Sequence, residues 1–125
     1  MIKLLVISIL ILLSSFGSTG CSCYKTYHPG GPYYYAIGIS YFIPDRPTHE
    51  ITKAEALEGE SRGESYYIAF FNNDGFIKSL EERIGGKRTF KREYFYEKKR
   101  LARLEKTDSK GVRSTVIVSN NNECL

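Results

Sequence analysis

The sequence contains no tryptophan, one methionine, two histidines, four prolines and three cysteines in 125 residues. Each scarcity excludes something. Three cysteines are too few for a small fold held mainly by disulfides. The two histidines, His28 and His49, both fall in loop-like segments, and neither has a nucleophile at a recognised spacing. Charge of neither sign dominates, since 18 Lys+Arg face 14 Asp+Glu and leave a net +4. That balance is weak for a nucleic-acid binder. The longest apolar run has ten residues, Leu4 to Leu13, broken only by Ser8. Ten residues span about 15 Å as a helix, half of the roughly 30 Å that a bilayer core requires. The length leaves no room for a separate cofactor-binding domain.

Aromatic residues, by contrast, are abundant, with ten tyrosines and seven phenylalanines. With 42% hydrophobic residues, the chain is too apolar for a disordered segment. The charge is also unevenly placed. Residues 50 to 64 carry five glutamates against Lys53 and Arg62. Residues 87 to 103 carry eight basic side chains against Glu93 and Glu97.

The first twenty residues read as an address. Lys3 supplies a minimal positive start, Leu4 to Leu13 the apolar stretch, and Ser14 to Gly20 a run of small residues apart from Phe16. That order predicts a secretory signal peptide over 1–20. It ends in Ser18-Thr19-Gly20-Cys21, which resembles the lipobox of bacterial lipoproteins, with Ser18 where that family usually has Leu. The resemblance implies lipidation of Cys21, with a tether over 21–32 and anchoring to the cell envelope. Ser22 follows the cysteine, and the family's sorting rule then favours the outer membrane in a host with two membranes. The alternative is plain secretion with cleavage near Gly17 or Gly20. Cys23 and Cys124 remain for a disulfide in an oxidising compartment. It would close a loop of about 100 residues, worth roughly 4–5 kcal/mol in a chain-entropy account. No metal site is expected, because Cys21, Cys23 and His28 lack a second ligand pair at zinc-site spacing.

The remainder predicts one mostly β domain over 33–119, followed by a tail at 120–125. Pro29-Gly30-Gly31-Pro32 breaks regular structure, and Tyr33 to Ile43 reads as a strand that ends at Pro44. Thr52 and Glu55 form a capping box, which predicts a short helix near 52–58 stopped by Gly59. Turn signals then recur at Asn73-Asp74-Gly75, Gly85-Gly86, Lys98-Lys99 and Asp108 to Gly111. They separate five aromatic and β-branched segments, which predicts an antiparallel meander of about five or six strands in all. Phe76, Ile77, Leu80 and Ile84 have helical spacing and leave a helix open at 76–84. A 24-residue repeat that aligns Phe76–Glu81 with Arg100–Glu105 favours a strand there.

Two segments of this repeat, Phe71-Asn72-Asn73-Asp74-Gly75-Phe76-Ile77 and Tyr94 to Leu101, resemble degenerate YD repeats. The second lacks the turn glycine, and Asp108-Ser109-Lys110-Gly111 repeats the turn without the tyrosine. The resemblance implies hairpins with aromatic and Leu side chains stacked between strands. It brings no catalytic residue with it.

The candidate polyanion-binding residues are Lys87, Arg88, Lys91, Arg92, Lys98, Lys99, Arg100 and Arg103, interleaved with Phe90, Tyr94 and Tyr96. The plainer alternative is a solvated sheet face whose charges block edge-to-edge aggregation. Strand alternation puts basic side chains on both faces. Three function classes follow. The first is a non-catalytic envelope lipoprotein that needs no cofactor. It would sit on the membrane through its lipid and meet a protein or an anionic envelope component, not nucleic acid. The second is a secreted interaction module, an inhibitor or effector. The third is a small carboxylate-based hydrolase, although no carboxylate pair stands out for acid–base work.

Overall fold

The computed structural model describes residues 25–118. Cys21, Cys23, Cys124, the leader at 1–20 and the tail at 120–125 lie outside the described residues. The chain runs β1 (Gly30–Ile37), β2 (Thr48–Ile51), α1 (Lys53–Ser61), β3 (Ser65–Phe71), β4 (Ile77–Ile84), β5 (Lys87–Glu97), β6 (Arg100–Asp108) and β7 (Arg113–Ile117). All seven strands form one antiparallel sheet in the order β2-β1-β3-β4-β5-β6-β7. It is an open sheet with β2 and β7 at its edges.

Local turn chemistry sets the meander. At β3–β4 the Asn72 side chain accepts from Asp74 N (3.0 Å) and Phe76 N (2.9 Å), and Gly75 takes φ +81°. At β6–β7 Asp108 accepts from Lys110 N (2.8 Å) and Val112 N (2.9 Å), and Gly111 takes φ +84°. The same four-residue device, a carboxylate or amide first and a glycine fourth, thus closes both hairpins. Gly85-Gly86 and Lys98-Lys99 close the other two as two-residue turns with both φ angles positive.

One face of the sheet holds the core. The register places Tyr33, Ala69, Leu80, Arg92, Lys106 and Ser114 in one cross-strand row, and strand alternation puts Tyr35, Tyr67, Tyr94 and Leu104 on the same face. Leu80 has no exposed surface; a fully buried leucine contributes about 1.5–3 kcal/mol. Tyr27 and the loop at 38–47 cover this face. The Tyr27 ring stacks on Phe71 at 4.3 Å, and its hydroxyl donates to Pro47 O at 2.9 Å. α1 lies against β1 and β3, where Ala56 and Tyr66 are buried.

The structure corrects several boundaries. The segment 76–84 is strand β4, and its pairing along both β3 and β5 overrides the local helical spacing. The strand expected at 33–43 ends at Ile37. Gly38 packs so tightly that a Cβ there would fall 2.2 Å from the Tyr67 ring, and the chain turns away across the core face. That strand starts earlier than expected, at Gly30, and includes Pro32. A proline is tolerated because β2 reaches only Tyr34 and the register to β3 is irregular between Gly30 and Tyr33. The helix has its Thr52–Glu55 capping box but runs on to Ser61. Gly59 is buried inside it, and Gly63 N bonds back to Glu60 O at 2.9 Å with φ +85°.

Candidate functional site

The eight basic candidates do not converge. Lys87 and Arg88 follow the Gly85-Gly86 turn, and Lys98, Lys99 and Arg100 surround the turn at the opposite end of β5. Lys91 and Arg103 fall on the face away from the core. There the Arg103 guanidinium lies 3.9 Å from the Phe95 centroid and bonds Glu105 at 3.2 Å. Arg113 spans two glutamates on that face, Glu105 at 3.1 Å and Glu93 at 3.7 Å, and Arg83 meets Glu81 at 2.9 Å. These pairs relieve the like charges of Glu93 and Glu105, which stand directly opposite each other.

Arg92 has a different task. It faces the core, and its Nη1 donates to Asp45 Oδ2 at 2.7 Å. Asp45 is 4% exposed and also accepts from the Tyr94 hydroxyl and from Ser40 N at 3.2 Å. Burial opposes the Arg92 charge, but Asp45 outweighs it and holds the guanidinium above its ordinary pKa. Burial, reinforced by the Asp45 charge, pushes the Tyr94 hydroxyl well above the usual tyrosine value. The cluster therefore fastens the loop at 38–47 onto the sheet. Nothing in the sequence flagged it, because its partners lie 47 and 49 residues apart.

The basic turn and the N-terminal segment share one end of the sheet. Tyr27 N donates to Gly75 O at 2.8 Å, which fixes the segment before β1 beside the β3–β4 turn. Lys99 Nζ lies 4.0 Å from Asp74 in that same turn, with its side chain 73% exposed. A broad hollow of about 780 Å³, lined by Glu97, Lys98, Arg100, Leu101 and Ala102, opens at this end.

A second hollow, of about 350 Å³, lies between the N-terminal segment and β1–β2. Tyr27, Tyr33, Tyr35, Phe71, Glu50 and His28 line it. The Tyr27 and Tyr35 rings meet edge to face at 6.2 Å. Burial pushes the Tyr35 hydroxyl up to about 12, with Glu50 and Tyr33 adding to the shift. Burial also raises Tyr27 strongly. This pocket is invisible in the sequence, because Glu50 belongs to a four-residue strand that no alternation marks. His49, the other histidine, meets Thr48 Oγ1 at 3.1 Å. Among the described residues, no three His, Cys, Asp or Glu side chains are grouped to hold a metal ion. None of the described helices is long and apolar enough to cross a membrane.

No family model matches the chain, and no curated protein or solved structure is detectably similar to it.

Proposed function

We propose that the chain is a small envelope lipoprotein, anchored through Cys21, whose sheet has a non-catalytic binding or structural role. One observation carries this reading. Tyr27, six residues after Cys21, is bonded to Gly75 O at the end of the sheet that also bears Lys98, Lys99 and Arg100. A lipid on Cys21 would hold that end against a membrane, where each Lys or Arg near an anionic surface is worth about 1 kcal/mol. The lipobox-like Ser18-Thr19-Gly20-Cys21 and the leader before it supply the route to the envelope. The sheet would then present the opposite end, with Lys87 and Arg88, to a partner.

A secreted interaction module is the second reading, and the loop favours it. Tyr41 is 97% exposed and is flanked by the partly exposed Ile39, Phe42 and Ile43. Such an apolar tip suits contact with another protein.

Metabolic labelling with an alkyne-bearing fatty acid separates the two. The wild-type chain should take up label and Cys21→Ser should not. Label persisting in Cys21→Ser would end the lipoprotein reading.

A further inference from the structure

The hollow beside the N-terminal segment combines four aromatic rings with one carboxylate. Tyr27, Tyr33, Tyr35 and Phe71 form its walls, and Glu50 stands at its rim. The chain is cationic overall, yet no Lys or Arg lines this pocket. Aromatic faces carry negative electrostatic potential, so the rings and Glu50 act with the same sign. One ammonium of the chain already meets a ring of this group, from outside the lining. Lys25 Nζ sits 5.0 Å from the Tyr27 centroid, while Tyr27 also stacks on Phe71 at 4.3 Å. Arg46, the cation whose field reaches the Tyr27 hydroxyl, is turned onto Phe42 at 4.0 Å.

We propose that this pocket binds an organic ammonium ion, held against the Tyr33 and Tyr35 rings and neutralised by Glu50. An anion would face Glu50, with His28 as the one lining side chain able to carry a positive charge. A neutral sugar needs several free donors and acceptors around its ring. Here the Tyr27 hydroxyl is committed to Pro47 O, and that of Tyr33 to Pro29 O at 3.3 Å. A volume of about 350 Å³ admits a tetraalkylammonium group with room for a short substituent. The proposal rests on the binding role put forward above but not on the lipid anchor.

The test uses the full chain in a polyoxyethylene detergent, followed by two-dimensional amide NMR. Tetramethylammonium chloride is titrated against matched sodium chloride. Saturable shifts at Tyr33, Tyr35 and Glu50 are expected with the organic cation alone. Glu50→Gln and Tyr33→Leu should each weaken binding roughly five- to tenfold while leaving distant resonances in place. Equal shifts with sodium chloride would overturn the proposal. So would unchanged affinity in Glu50→Gln, or tighter binding of N-acetylglucosamine or inorganic phosphate. Fatty-acid labelling without an ammonium response removes the pocket reading alone. An ammonium response without labelling removes the anchor alone.

Discussion

Asp45 decides how the loop at 38–47 is held. A carboxylate that is 4% exposed is costly unless it is paired, and here Arg92 and Tyr94 both donate to it. Removing Asp45 takes the carboxylate away from the buried Tyr94 hydroxyl and the half-buried Arg92 charge. Asp45→Ala should therefore lower unfolding stability by about 3 kcal/mol, read as a shift in the urea midpoint. Asp45→Leu combined with Arg92→Met should recover most of that loss, because it removes both charges together. Equal losses in the single and the double variant would mean that packing alone holds the loop. This explains why Arg92 looked like its neighbours in the sequence. Lys91 and Arg92 are adjacent basic residues on one strand; alternation sends them to opposite faces, and a distant aspartate then gives Arg92 its role.

At the scale of elements, the legible parts were those with a local cause. Asn72 to Gly75 and Asp108 to Gly111 fold into the same turn because each carries its own acceptor and its own glycine. The capping box at Thr52 is equally local, with bonds of 2.8 and 3.0 Å. What stayed hidden depends on distant pairing. β2 has only four residues, and His49 interrupts it at φ +63°, so its sequence shows no alternation. The 24-residue repeat was legible in β4 and β6, where Ile77 matches Leu101 and Leu80 matches Leu104 in the core. It slips in the preceding strands. Phe71 pairs with Ile77, but Tyr96, not Phe95, pairs with Leu101. The one-residue-shorter connection sends Phe95 to the outer face. That connection is closed by Lys98 at φ +53° and Lys99 at φ +62°, where side-chain-bearing residues are strained. Replacing them with Asn-Gly should raise stability by about 1 kcal/mol, measured as a higher thermal midpoint. An unchanged or lower midpoint would mean that the turn carries no strain at these residues.

For the whole molecule, those two lysines pose a conflict between stability and charge. Gly85-Gly86 closes the neighbouring hairpin with glycine at both left-handed positions, so the fold has a relaxed solution for such a turn. At the end that Tyr27 ties to Gly75, it carries two strained cations instead. A turn that lay free in solvent would gain from Asn-Gly and lose nothing. A turn held against an anionic membrane would lose about 2 kcal/mol of attraction, roughly 30-fold in partitioning. The Lys98→Asn, Lys99→Gly chain should therefore be the more stable protein and the weaker membrane binder. The measurement is co-sedimentation of a chain starting at Ser22, without leader or lipid, with vesicles containing anionic lipid. The deficit should vanish on neutral vesicles and shrink as salt screens the surface. If both chains sediment equally with anionic vesicles, the basic turn does not face the membrane, and the orientation proposed for the anchored sheet fails with it.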